Sequence, residues 1–195
     1  ELFREANIPL FTKLESESQK YGAISAEMSI TYKGKEFTLQ AAAKFLKNTD
    51  RKIREELYFL IQNRRYEEVK KLDTLFDDLI ELRQKVAKNA NFENYRDYMF
   101  KAMGRFDYTA EDCEAFHSSI KTHLVPLLNK ITNSRKEKLG LKSLKPWDLS
   151  VDIDLKEPLK PFENGKELLE KTIKCFDNID PFFGDCLREM NRKKH

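Results

Sequence analysis

From Asp50 to Ala90 the chain contains neither proline nor glycine, and this uninterrupted stretch decides most of what it can become. Within it Ile53, Leu57, Leu60, Ile61, Val69, Leu72, Phe76, Leu79, Leu82 and Val86 recur mostly at steps of three and four. That spacing draws one apolar stripe along a helix. A continuous helix over the span would be about 60 Å long at ~1.5 Å per residue. Six glycines and six prolines in 195 residues, with 35% charged side chains, suit long solvated helices. The 14 phenylalanines and 7 tyrosines need a core, which separates the chain from a disordered one.

The expected fold is mainly α, long antiparallel helices with one small β-hairpin. Residues 1–25 form a leading helical segment, interrupted near Pro9. Residues 26–39 form the hairpin: Ala26–Tyr32 and Glu36–Leu39 alternate apolar and polar residues around Lys33-Gly34-Lys35. Residues 40–140 are the long-helix body. Thr38 caps its first helix, and Thr49 or Asp50 caps the long one. Asn91 or Asn94 opens a short aromatic helix ended by Gly104. Thr109-Ala110-Glu111-Asp112 reads as a capping box. The stripe behind it, Cys113, Phe116, Ile120, Leu124, Leu127, Leu128 and Ile131, contains Pro126, where a kink is expected. Residues 141–164, with Pro146, Pro158 and Pro161, form a connector in which Val151–Leu155 alternates like a short strand. Residues 165–195 form C-terminal helices, the last opened by Asp180-Pro181.

Little in the chain is arranged for chemistry of its own. Net charge is +3, from 36 basic and 33 acidic residues, too even a balance to argue for nucleic acid. The basic cluster from Arg188 to His195 reads as a solvated helix end. No apolar run approaches the roughly 20 residues of a bilayer span. Cys113, Cys175 and Cys186 form no CxxC pair and suit reduced thiols in the cytoplasm. His117 and His123, six residues apart, point about 240° away from each other on a ~3.6-residue helix and cannot share an ion. Cys113, four residues before His117, lies on the apolar stripe, where a small thiol is ordinary. Acidic groups such as Asp73, Asp77 and Asp78 face Lys70, Lys71 and Arg83 as solvated helix pairs do. No catalytic, cofactor-binding or metal-binding residue is expected within the chain.

Four segments, in order, resemble the oligoendopeptidase F branch of the M3 zinc metallopeptidases. The first runs from Lys33–Leu39 through Phe45-Leu46 to Thr49-Asp50-Arg51-Lys52-Ile53-Arg54, like that family's hairpin and "DR..R" helix start. The second is Leu82–Lys88 followed by Asn91-Phe92-Glu93-Asn94-Tyr95-Arg96-Asp97-Tyr98. The third is Arg105-Phe106-Asp107-Tyr108. The fourth is Arg135–Leu141 followed by Leu144-Lys145-Pro146-Trp147-Asp148. The likeness covers about residues 30–150. Asn91 stands where the family usually has Gly, and must take a left-handed conformation, which Asn tolerates.

The resemblance implies a larger helical, channel-forming fold in which zinc, held by HExxH and a downstream Glu, activates water against short unstructured oligopeptides. In that layout the metal ligands lie beyond His195. This chain would then be an N-terminal, non-catalytic piece, binding no zinc itself, walling the channel and leading toward the catalytic portion. Its start without Met and its end without a helix stop agree with such a piece. Arg105, Tyr108, Trp147 and Asp148 match the motifs. The Arg and Asp are expected as buried pairing partners and the Tyr and Trp as helix-junction anchors, with channel lining as the functional reading. The alternative is a free-standing helical scaffold protein.

Overall fold

In the computed structural model, which describes residues 2–193, Pro9 starts the first helix instead of interrupting it. A 3-10 turn, Glu5–Asn7, leads into α1 (Ile8–Ala26), and Pro9 sits in its first turn. There the missing N–H would have had no intrahelical partner anyway. The hairpin is β1 (Ser29–Tyr32) against β2 (Lys35–Thr38), antiparallel, with Ser29 opposite Thr38 and Tyr32 opposite Lys35. Lys33 and Gly34 both take positive φ in the turn. Thr38 caps α2 (Leu39–Ala43) by accepting from the Ala41 N–H, and a 3-10 turn, Lys44–Lys47, finishes it.

The glycine- and proline-free stretch is two helices, not one. α3 (Arg51–Glu67) starts at Asp50, whose side chain accepts from the Lys52 N–H. α4 (Val69–Asn89) follows after a break at Glu68, which has φ −94 and ψ 0. No helix breaker marks the position. The break follows from what each helix packs on. Leu57 and Ile61 of α3 close a core with Met28, Ile30 and Tyr32 of the hairpin and Leu39 and Ala42 of α2. Leu75, Leu79, Leu82 and Val86 of α4 close another with Leu14 of α1 and with Ala90 and Tyr98. Ile24 packs against both. One straight stripe cannot face both cores, so the chain turns, and Arg64 and Lys71 pair with the Glu68 carboxylate at the corner, at 2.8 and 2.7 Å.

Asn7 ties the chain's start to α4. It is fully buried, donates to the Val86 carbonyl at 3.0 Å and accepts from Asn89 at 2.8 Å. Asn91 takes φ +62, the left-handed conformation its place demands. Asn94 caps α5 (Tyr95–Ala102), and Gly104 turns the chain out of it with φ +65. The Thr109/Asp112 capping box opens α6 (Ala110–Ser119). A π-helical segment, Ile120–Leu124, joins α6 to α7 (Val125–Lys138), the Val125 N–H reaching back to the Ile120 carbonyl. Pro126 has no N–H to give, and the widened turn just before it takes up the mismatch. No residue of α6, the π segment or α7 is buried.

Val151–Leu155 is not a strand. Asp152 accepts from the Asp154 N–H at 2.8 Å and from the Leu155 N–H through its carbonyl, folding the backbone on itself, and Leu155 has φ +53. Asp side chains compete with the ladder in this way.

The chain divides into two compact units, residues 1–156 and 157–195. The second is a helical hairpin, α8 (Gly165–Asp177) and α9 (Pro181–Lys193), capped by Asn164 at its start. Arg188 donates to both oxygens of Asp177 across it, at 2.9 and 2.8 Å. Gly184 is buried directly against the Asp177 carboxylate, where a Cβ would collide. Lys194 and His195, the end of the basic cluster, lie outside the described residues.

Leu57 is fully buried at the centre of the hairpin core, so Leu57→Ala is expected to cost about 2–5 kcal/mol in chemical denaturation, the usual range for a truncated core leucine. Gly184→Ala is expected to push Asp177 off Arg188 and to speed amide hydrogen exchange in α8 and α9. Unchanged exchange there would show that the close approach is not needed.

Candidate functional site

The four quoted motifs meet in pairs. Asp50-Arg51-x-x-Arg54, in the first turn of α3, meets Trp147-Asp148, in a 3-10 turn at Pro146–Asp148. Asp148 is fully buried. Its Oδ1 accepts from Arg51 Nε at 2.9 Å and from an Arg54 terminal nitrogen at 3.1 Å. Its Oδ2 accepts from the other end of Arg51 at 2.9 Å and from the Lys145 N–H at 2.9 Å. Arg51 thus grips the carboxylate bidentately while Arg54 reaches it from beneath.

Arg54 is only 2% exposed. Beyond Asp148 it donates to the Trp147 carbonyl at 3.0 Å and to the Asn48 and Thr49 carbonyls at 2.8 and 3.0 Å. The side chain so pins the entry to its own helix and the 145–148 turn at once. Arg135 of α7 adds hydrogen bonds to the Asp148 carbonyl, at 3.0 Å, and to the Val151 carbonyl. Two cations in a helix's first turn oppose the helix dipole, and the buried carboxylate offsets this. Trp147 lies beside Tyr58 and Phe59, ring centroids 5.4 and 5.3 Å away, with the Arg51 guanidinium 5.9 Å from its own ring. Its buried Nε1–H has no hydrogen-bond partner among the described residues.

Burial pushes the Asp148 carboxyl up, but hydrogen bonds from Arg51, the Lys145 N–H and Arg54 together hold it below the ordinary carboxylate range. The hydrogen bond to Asp148 in turn raises Arg51.

The second and third motifs meet around α5. Phe92 and Tyr95 pack on Tyr98, at 5.6 and 5.8 Å between ring centroids. Tyr108 stands edge-on to Phe100 at 5.8 Å, and the Arg105 guanidinium lies 5.5 Å from the Phe100 ring. Arg105 is half-buried and makes no ion pair among the described residues, and Tyr108 is exposed. Asp148 pairs with Arg54, itself buried, and with the partly exposed Arg51, and not with Arg105. Both partners stand in the helix-start motif, which marks them as motif residues without naming Asp148 as their partner. His117, His123 and Cys113 join no cluster: no group of three or more His, Cys, Asp or Glu among the described residues is placed to hold a metal ion. No helix of the described residues is long and apolar enough to cross a membrane.

Asp148→Asn is expected to cost about 3–5 kcal/mol, the range for stranding one charge of a buried pair, here Arg54. Because the folded carboxyl titrates below its unfolded value of about 3.9, its contribution is complete above that pH and is lost as pH falls through the folded value. Denaturation curves between about pH 5 and pH 2 should therefore lose stability steeply in the parent chain and more shallowly in Asp148→Asn.

Among curated proteins no sequence matches the chain. Several solved structures match its fold, among them the following three. A protein assigned as an oligoendopeptidase F superimposes with a TM-score of 0.89 at 21% identity, over 98% of this chain and 34% of its own. PZ peptidase A, solved with an inhibitor, gives 0.90 at 23% identity, over 99% and 34%. A protein assigned as an oligoendopeptidase F from Bacillus anthracis str. Ames gives 0.86 at 19% identity, over 97% and 35%. The chain spans about a third of the length of these structures. The family model for peptidase family M3 matches residues 44–176, a segment holding both arginines of the buried junction, its Asp148 and the Arg105–Tyr108 turn, and the chain belongs to that family.

Proposed function

We propose that this chain is the N-terminal, non-catalytic helical portion of a zinc-dependent oligoendopeptidase and forms one wall of the channel that admits short, unstructured peptides. Membership of peptidase family M3, over a chain a third as long as the structures it matches, carries this reading. The described residues do not fit a zinc centre, since no group of His, Cys, Asp or Glu among them could hold the ion. The HExxH ligands and the metal-activated water belong, on this reading, to the remaining two thirds of the architecture.

The unburied stripe of α6 and α7 supports the same assignment. Phe116, Leu124, Leu127, Leu128 and Ile131 are all more than half exposed. A stripe of that extent on a helix is a surface made to be covered, and the catalytic portion of the same polypeptide is the proposed cover. Residues 165–195 lead toward that portion. Arg105 and Tyr108 are proposed to face the peptide channel, whereas Trp147 and Asp148 hold the wall in shape. The three cysteines are unpaired, in keeping with a cytoplasmic setting.

The full-length protein is expected to cleave a short, internally quenched peptide, to stop on chelation and to recover with zinc. The 195-residue chain alone is expected to cleave nothing and to self-associate in light scattering. A single tight zinc site in calorimetry of the chain alone, or peptide cleavage by it, would overturn the assignment.

A further inference from the structure

The turn that leaves α5 borders an open cleft of about 360 Å³, lined by Phe92, Phe100 and Phe106, by Tyr108, and by the cations Arg96, Lys101 and Arg105. Two carboxylates, Asp97 and Glu111, also line it, so its charged groups sum to one excess positive charge. The first is already taken: Arg96 Nε donates to Asp97 at 2.8 Å. Lys101 lies 5.4 Å from the Phe106 ring. The Arg105 guanidinium lies 5.5 Å from the Phe100 ring centroid, is half-buried, and is joined to no carboxylate among the described residues. A guanidinium is a planar fork of N–H donors that matches a carboxylate bidentately, and here it stands at an aromatic wall.

We propose that this cleft binds the carboxylate-bearing aromatic end of a peptide, the carboxylate on Arg105 and the ring among Phe100, Phe106 and Tyr108. The volume suits one residue at the lower end of ligand-site sizes. The aromatic walls supply edge-to-face partners for a ring. The single excess positive charge matches a single carboxylate. The choice of a peptide as ligand rests on the peptidase reading above; the choice of carboxylate and ring rests on the cleft alone.

The test uses N-acetyl-L-phenylalanine and its neutral amide, titrated into the 195-residue chain and followed by amide NMR shifts. The acid is expected to bind at least about tenfold more tightly than the amide, with shifts confined to about residues 92–111, and to weaken as salt is raised. Arg105→Gln should bring the acid down to the amide's affinity, and Arg105→Lys should keep part of the difference, with thermal melts of both variants matching the parent. Equal binding of acid and amide, shifts elsewhere, indifference to Arg105→Gln, or no binding up to about 10 mM, well above the weak end of specific affinities, would each overturn the proposal. Peptide cleavage by the full-length protein is read in a separate assay, so a failed cleft and a failed peptidase assignment give different results.

Discussion

Taking the Asp148 carboxylate out of water is the costly step on which the larger unit depends. An isolated buried charge is prohibitively expensive, and here the cost is offset by two guanidiniums and a backbone N–H converging on two oxygens. The consequence is architectural. Residues nearly a hundred positions apart in sequence are joined at one point, and the same contacts fix the entry to α3, the 145–148 turn and, through Arg135, the last part of α7. A buried ion pair of this kind adds less net stability than its Coulomb attraction suggests. What it supplies is a single register: an apolar replacement could fill the space but would not select which carbonyls Arg54 must reach.

Around that point the apolar residues sort into two cores. The hairpin, α2 and α3 share one; α1, α4 and Tyr98 of α5 share the other. Glu68 is the corner between them, and its two cationic partners lie on either side of the break, Arg64 on α3 and Lys71 on α4. The corner therefore carries its own electrostatic brace in place of the glycine or proline that usually marks a turn between helices.

Much of the fold was legible because it is written in local chemistry. Thr38, Asp50, Asn94 and the Thr109/Asp112 box act as caps where their side chains imply, and Asn91 and Gly104 take the left-handed conformations their neighbours require. The departures have different causes, tertiary in the first case and local in the other two. The stripe from Ile53 to Val86 is helical throughout, but it serves two cores and breaks at a residue with no local signal. Pro126 disturbs its helix one turn early, as a widened π segment. Val151–Leu155 alternates properly, but with no neighbouring strand its aspartates closed the backbone into a turn. For the site, family motifs marked Asp148 and Trp147. They could not say that the partners were Arg51 and Arg54, because pairing across the chain is set by the fold and not by spacing.

Trp147 is the sole tryptophan in the chain, and it sits against Tyr58, Phe59 and Arg51 on top of the buried carboxylate. The chain therefore carries its one indole reporter at this junction. Indole emission from this protein reads the assembly of that junction directly, while the helical hairpin at residues 165–193 stays dark at those wavelengths. Comparing indole emission with backbone dichroism would separate the order in which the junction and the helices come apart, with no label added.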